Sequence, residues 1–341
     1  MERKVCGEGA YGKVYNIGHG KAQKSFQNLC SLVQEYVALR YVKGWKHVLQ
    51  GYDANFSKKT LDMDLCDNSL RGYMDSTKEP SIGVKMTLFK DILTGLLQLH
   101  KNGIIHADLK PGNILIKDHR ALLGDLGFVN IQKYARVYNT ARNYRDPAKK
   151  ADYGHDLFSL GIVLAEILLW RRVNKKKLDH EIKKIEDEKM VKLIKLLVSE
   201  DRKKRPNIEE IFKHYLNEDV PEIYVNDKPQ HNIKFDKEWA ESIKEYIRKH
   251  CQAFYIRRGL TGYKALLTFL SCNKTDSSLI PLYVPCTIMI LSSIFGQSGY
   301  TEEEVFKSCH RRGFKEKDVL SAIKDLCDNA HFVNILFMKS K

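Results

Sequence analysis

The chain has 341 residues, 43% hydrophobic and 29% charged, with no internal repeat or low-complexity tract. This excludes a disordered chain and a repeat array, and at about 150 residues per domain it allows two or three folded units. A formal net charge of +15 attracts phosphate-bearing partners by long-range steering without choosing among nucleotide, nucleic acid and acidic protein.

The eight cysteines form no CxxC pair and no Cys/His cluster at metal spacing, and the opening MERKVCGEGAY has no apolar signal core. Reduced thiols, a cytoplasmic or nuclear location and no signal peptide are the expectation. From Val5 to about Leu70, short alternating runs broken by glycines predict a small sheet with one helix, Leu29 to Tyr41. From there to Leu216 the periodicity is helical, for example over Met86 to His100 and Leu157 to Leu169. The basic stretch Arg171 to Lys177 reads as a solvated face, with nucleic-acid contact a weakly supported option. NEDVPEIYVNDKPQHNIKFD, residues 217–236, has two prolines and no period, and predicts a linker. Five helices follow: Trp239 to Ile256, Thr261 to Cys272, Leu282 to Phe295, Thr301 to Arg311 and Glu316 to Asn329. The apolar run Leu279 to Gly296 approaches the ~20 residues that cross a bilayer. Pro281 and Pro285 near its start, and flanks without charge bias, make it a buried core helix instead, so no membrane is expected.

The motifs that carry chemistry lie in the first two thirds. GEGAYGKV, residues 7–14, resembles the kinase glycine-rich loop, in which any Cβ at Gly7, Gly9 or Gly12 would keep backbone N–H groups from phosphate oxygens and Val14 can cover the adenine. KAQK follows at 21–24, and Glu35 sits in the first helix. In HADLKPGNILI, Asp108 can orient the proton of a hydroxyl acceptor, Lys110 can stabilise a transferring phosphoryl group, and Asn113 can offer its amide oxygen to Mg²⁺. Twelve residues on, ALLGD ends in Asp125-Leu126-Gly127, whose carboxylate suits a hard cation bridging phosphates.

In this order and spacing the motifs resemble a eukaryotic-type serine/threonine protein kinase, and the glycine loop and first helix resemble the cyclin-dependent kinases. The resemblance implies the α+β bilobal kinase fold, with a small β-rich N-lobe and a helical C-lobe, using ATP and Mg²⁺ on a protein substrate. It assigns catalysis to Lys24, Glu35, Asp108 and Lys110, and the metal to Asn113 and Asp125. It assigns ATP binding to Gly7, Glu8, Gly9, Ala10, Tyr11, Gly12, Val14, Ala22 and Lys24, to the gatekeeper Met63, to the hinge Asp64, Leu65 and Cys66, and to Leu115 beneath the base. Asp156, in DLFSLG, resembles the aspartate that holds the catalytic-loop backbone, and Arg205 the closing arginine. Lys110, two residues after Asp108, favours serine/threonine acceptors. A pseudokinase, or a nucleotide-binding scaffold that recruits another kinase or a transcription or cell-cycle protein, is the alternative.

Two departures stand out. Ala107 replaces the arginine that in the family receives a phosphorylated activation loop, and between Gly127 and Pro147 the only Ser or Thr is Thr140. The paired loss points to a kinase that does not wait for loop phosphorylation. Tyr144-Arg145-Asp146-Pro147-Ala148 lacks the glutamate that would pair with Arg205: either the arginine is unpaired or Asp146 substitutes.

The expected division is a kinase domain at 1–222, a linker at 223–237 and a five-helix all-α domain at 238–341 that resembles a cyclin box, an unrelated helical domain being the alternative. The positions of the cyclin docking lysine and glutamate are Ile294 and Ile323, both apolar. The resemblance implies an activator fused in cis, docking intramolecularly and pressing the Glu35 helix inward.

Overall fold

The computed structural model describes residues 5–9, 12–128, 130–131, 141–148, 152–224, 238, 240–241, 243–245, 259–273, 275–295 and 301–337. In chain order its strands are β1 (Val5–Gly9), β2 (Gly12–Gly18), β3 (Lys21–Ser25), β4 (Gly51–Asn55), β5 (Thr60–Asp64), β6 (Asn68–Ser69), β7 (Ile104–Ile105), β8 (Ile114–Lys117), β9 (Arg120–Leu123) and β10 (Asn130–Ile131). Its helices are α1 (Leu29–Tyr41), α2 (Leu70–Ser76), α3 (Ile82–Lys101), α4 (Tyr153–Leu169), α5 (Leu178–Glu181), α6 (Glu188–Leu197), α7 (Ile208–Glu210), α8 (Gly259–Cys272), α9 (Ile280–Phe295), α10 (Glu302–His310), α11 (Glu316–Asp328) and α12 (Ala330–Phe337). The described residues fall into two compact units, one of Met1–Lys43, Gly51–Asp64 and Asn226–Lys341, the other of Gly44–Gln50 and Leu65–Val225.

The first unit is built on a five-stranded antiparallel sheet in the order β1-β2-β3-β5-β4. Gly18, His19 and Gly20, at φ 84°, 52° and 69°, make the tight turn from β2 to β3 in left-handed backbone that glycine adopts without strain. Asn28 opens α1, its side chain accepting the Ser31 amide at 2.8 Å. Leucines, valines and tyrosines occur almost all round this helix, so it can be stable only if covered on most sides. Leu29, Leu32, Val33, Glu35, Tyr36, Val37, Ala38, Leu39 and Tyr41 are indeed buried. Part of that cover comes from the sheet, where Gly51 abuts Leu39 so closely that a Cβ would lie 2.9 Å from it. The rest comes from α9, α11 and α12, with the Tyr41 and Phe337 rings stacked at 4.4 Å.

α9 contains the suspect apolar run. Its side chains are mostly buried, Pro285 lies inside it, and no helix among the described residues is long and apolar enough to cross a membrane. Of the expected helix Trp239 to Ile256, positions 240–241 and 243–245 are described, and these are helical. α12 was not expected. Asn329 leaves α11 in extended conformation (φ −76°, ψ 110°), and its side chain then accepts the Phe332 amide at 2.9 Å, so one residue ends one helix and caps the next.

The second unit is helical around α3 and α4. α4 begins four residues before the expected Leu157, and all of His155 to Leu168 is buried. Gly161 lets α6 approach: a Cβ there would lie 2.8 Å from Val198 and 2.9 Å from Leu197. The β8–β9 hairpin and the short β7–β10 and β6–β8 pairs carry the loops of the site. Asp91 of α3 ties β9 down, accepting from Arg120 Nε at 2.8 Å and from the Ala121 amide at 3.0 Å.

Candidate active site

The predicted residues divide between the two units. In the first, the sheet register sets Val14 beside both Gly7 and Lys24, and Ala22 beside Met63. Gly9 pairs with Gly12 across the hairpin whose tip, Ala10 and Tyr11, lies outside the described residues, as does the side chain of Glu8. Gly12 has φ 146°, and a Cβ there would sit 1.7 Å from the Ser25 carbonyl oxygen, so the position admits glycine alone. Lys24 Nζ meets Glu35 Oε2 at 2.6 Å, the carboxylate nearly sealed from solvent. Lys24 also lies over the Phe26 ring, 5.1 Å from its centroid. At the end of β5, Met63 is buried and Asp64 accepts the Tyr52 hydroxyl at 2.6 Å.

In the second unit, Asp108 is the centre of a small polar cluster. Its Oδ2 meets Lys110 Nζ at 2.5 Å and Asn113 Nδ2 at 2.9 Å, and the same Asn113 nitrogen donates to the Asp108 carbonyl at 2.9 Å. With its nitrogen so committed, Asn113 offers its amide oxygen to a cation. Asp125 is brought to the same end of the β8–β9 hairpin by register: Ile114 pairs with Leu123, and Gly124 donates to the Asn113 carbonyl at 2.8 Å. Asp125 itself takes φ 53°. Among the described residues no three His, Cys, Asp or Glu side chains cluster as a metal site. Asn113 and Asp125 nevertheless fit Mg²⁺, which takes one or two protein oxygens and otherwise keeps water and phosphate oxygens. Leu115 lies in β8, packed against Gly124 so closely that a Cβ would be 2.9 Å away, while Leu65 and Cys66 are half-buried at the start of this unit.

The catalytic loop is held from below. Asp156, fully buried in the first turn of α4, accepts the amides of His106 at 2.8 Å and Ala107 at 2.9 Å, and the His100 ring at 2.9 Å. Burial pushes its carboxyl up, but the His100 hydrogen bond and the charges of the surrounding histidines outweigh it and hold Asp156 below the usual range. His106 adds a link from its ring to the Gly124 carbonyl at 3.1 Å. Ala107 itself is buried at φ 67°, left-handed backbone that is uncommon for a residue with a Cβ.

Asp146 takes the place of the missing glutamate. It meets Arg205 Nη1 at 2.5 Å and Nη2 at 3.3 Å, and Arg202 Nε at 3.1 Å. Burial raises its carboxyl, but Arg205 first and Arg202 last among the opposing groups leave it depressed. The sequence reading missed a second anchor: Glu166, buried in α4, accepts from Arg71 and from the Tyr144 hydroxyl at 3.0 Å, holding the end of the same segment. A lone carboxylate in the apolar run Leu157 to Leu169 was the only signal for it. Thr140 lies outside the described residues.

The protein kinase domain profile matches residues 2–218. The chain is 27% identical over 255 residues to the interferon-induced, double-stranded RNA-activated protein kinase of Rattus norvegicus, covering 61% of this chain and 50% of that protein. It is 29% identical over 227 residues to a probable serine/threonine-protein kinase of Encephalitozoon cuniculi, covering 62% and 43%. It is 31% identical over 195 residues to cyclin-dependent kinase 4 of Mus musculus, covering 47% and 64%. The chain thus spans half the length of the first of these relatives and less than two thirds of the others. With the domain matched over more than half its residues, and with Asp108, Asn113 and Asp125 set on one loop and hairpin, the chain belongs to the protein kinase family.

Proposed function

We propose that the protein is an ATP- and Mg²⁺-dependent serine/threonine kinase, activated in cis by its own C-terminal helices and independent of activation-loop phosphorylation. The observation that carries this reading is the closed Lys24–Glu35 pair on a helix whose outer face is covered by α9, α11 and α12. Kinases are switched by bringing this helix and its glutamate into position.

The chain's own residues divide the work. The glycine hairpin and Lys24 take the phosphates, Glu35 orients Lys24, and Asn113 and Asp125 supply hard oxygen donors. Magnesium, when bound, neutralises charge on the phosphates. Asp108 orients the acceptor hydroxyl and takes its proton, while Lys110, held on Asp108, is placed to stabilise the transferring phosphoryl group. Lys110 and the relatives named serine/threonine kinases support that acceptor class. Ala107 and a segment poor in acceptors support independence from loop phosphorylation.

The helical region resembles a cyclin box in pattern, with the apolar and buried Ile294 and Ile323 at the positions of the docking lysine and glutamate. In full-length protein, Phe337→Ala, which removes the stack on Tyr41, should lower transfer from labelled ATP to a basic model protein. Unchanged activity would remove cis activation.

A further inference from the structure

α1 carries the glutamate of the Lys24–Glu35 pair, and two carboxylates from the C-terminal helices grip it. At its first residue, the Leu29 amide donates to Glu302 Oε2 at 3.1 Å, while Lys59 Nζ holds the other oxygen at 3.1 Å. α1 has no acidic residue in its own first turn, and Glu302, from the start of α10, supplies the negative charge that a helix N-terminus favours. Further along, the Tyr36 hydroxyl donates to Asp328 Oδ1, and Arg40 donates to the Asp328 carbonyl at 3.2 Å. Lys324, one turn before Asp328, bridges it at 3.3 Å to Asp53, 2.5 Å away on β4. Tyr36 is buried, and burial first and the Asp328 bond second raise its pKa, so the hydroxyl remains a donor throughout the neutral range.

Tyr36 and Arg40 are four residues apart and share a face, and Glu35 points about 100° away from Tyr36 around the axis. A grip on Tyr36 and Arg40 therefore sets the roll of α1. A grip on Leu29, about 10 Å along the axis from Tyr36, sets its tilt. Roll and tilt together fix where the Glu35 carboxylate lies.

We propose that Asp328 and Glu302 are positioning residues for phosphoryl transfer, acting through α1 to hold Glu35 on Lys24. This rests on the cis-activation reading and assigns its agents. The contacts are one charge-assisted bond from a side chain and one from a backbone amide, so each carboxylate is expected to matter by roughly tenfold in rate.

The test uses full-length protein carrying Asp328→Ala, Tyr36→Phe, both together, Glu302→Ala and Glu302→Gln, with kcat and KM for ATP measured beside the thermal midpoint. The expected result is that Asp328→Ala and Tyr36→Phe each lower kcat about tenfold at little change in KM, and that the double variant is no worse than either single one. Glu302→Gln, which keeps an oxygen for the Leu29 amide, recovers most of what Glu302→Ala loses. A purely structural role would lower the midpoint and leave kcat per folded molecule unchanged, and that result overturns the proposal. So do losses that add in the double variant. Wild-type kinetics in Asp328→Ala and Glu302→Ala, with activity lost in Phe337→Ala, would overturn this assignment and leave cis activation standing. Wild-type kinetics in all three would remove both.

Discussion

Asp146 lies between Arg205 and Arg202, 2.5 Å and 3.1 Å away, with hardly any of its surface open to water. One buried carboxylate thus meets two guanidinium groups in the helical unit, Arg202 also pairing with Asp152, in a segment where the family uses the glutamate two residues later. Removing it would leave the buried Arg205 facing the carbonyls of Ser199 and Gly154, while Arg202 keeps Asp152. Asp146→Ala should lower the unfolding free energy by about 3–5 kcal/mol, read from urea melts of the full chain. A loss below about 1 kcal/mol would be that of an exposed pair and would contradict this arrangement.

His155 gives the same unit a pH dependence. Its ring is fully buried, and burial holds its pKa below the ordinary 6.5 despite the nearby charges of Asp156 and Asp146. Below pH 6.5 the unfolded chain takes a proton that the folded chain refuses, so the unfolded state binds more protons and stability is lost as the pH is lowered. The slope approaches about 1.4 kcal/mol per pH unit until the folded group titrates. His155→Gln should flatten the dependence between pH 6.5 and the acid limb; an identical slope in the variant would show that other groups cause it.

Gly161→Ala tests the packing of α4 on α6. The added methyl would press on Val198 and on Leu197, and its second neighbour is a backbone-proximal Cβ that cannot swing aside. A loss of about 1–3 kcal/mol is expected by thermal denaturation. Full stability would show that α6 can shift.

Phosphatase treatment of the purified chain should leave kcat within about twofold, since no arginine stands at position 107 to receive a loop phosphate. A tenfold drop would mean that another cation has taken over that role.

Much of the frame was legible from local signals. α1 spans the residues its periodicity marked, and Lys24 and Glu35, named from spacing and resemblance, lie 2.6 Å apart. Gly12 was legible because the glycine loop brings backbone close and favours that residue, whereas the packing of Gly161 on α6 was not. Asp146 was legible as one of two alternatives, and only the fold places it against Arg205. The pairs Arg71–Glu166, Tyr36–Asp328 and Leu29–Glu302 were not legible, because their partners are 95, 292 and 273 positions apart and nothing local marks them. The α11–α12 boundary was missed for a smaller reason: Asn329 reads as a helix end, and its second role as a cap depends on side-chain geometry.

The proposed phosphoryl transfer rests on Asp108, with Asn113 and Asp125 as oxygen donors. The most direct measurement is Mg²⁺-dependent transfer of labelled γ-phosphate to a basic model protein by the full chain, beside Asp108→Asn and Asp125→Asn proteins of matched folding. Transfer by the wild-type chain and a loss of at least about 10²-fold in both variants are expected. Nucleotide binding without transfer by the wild-type chain, or transfer that survives both substitutions, would contradict the proposal.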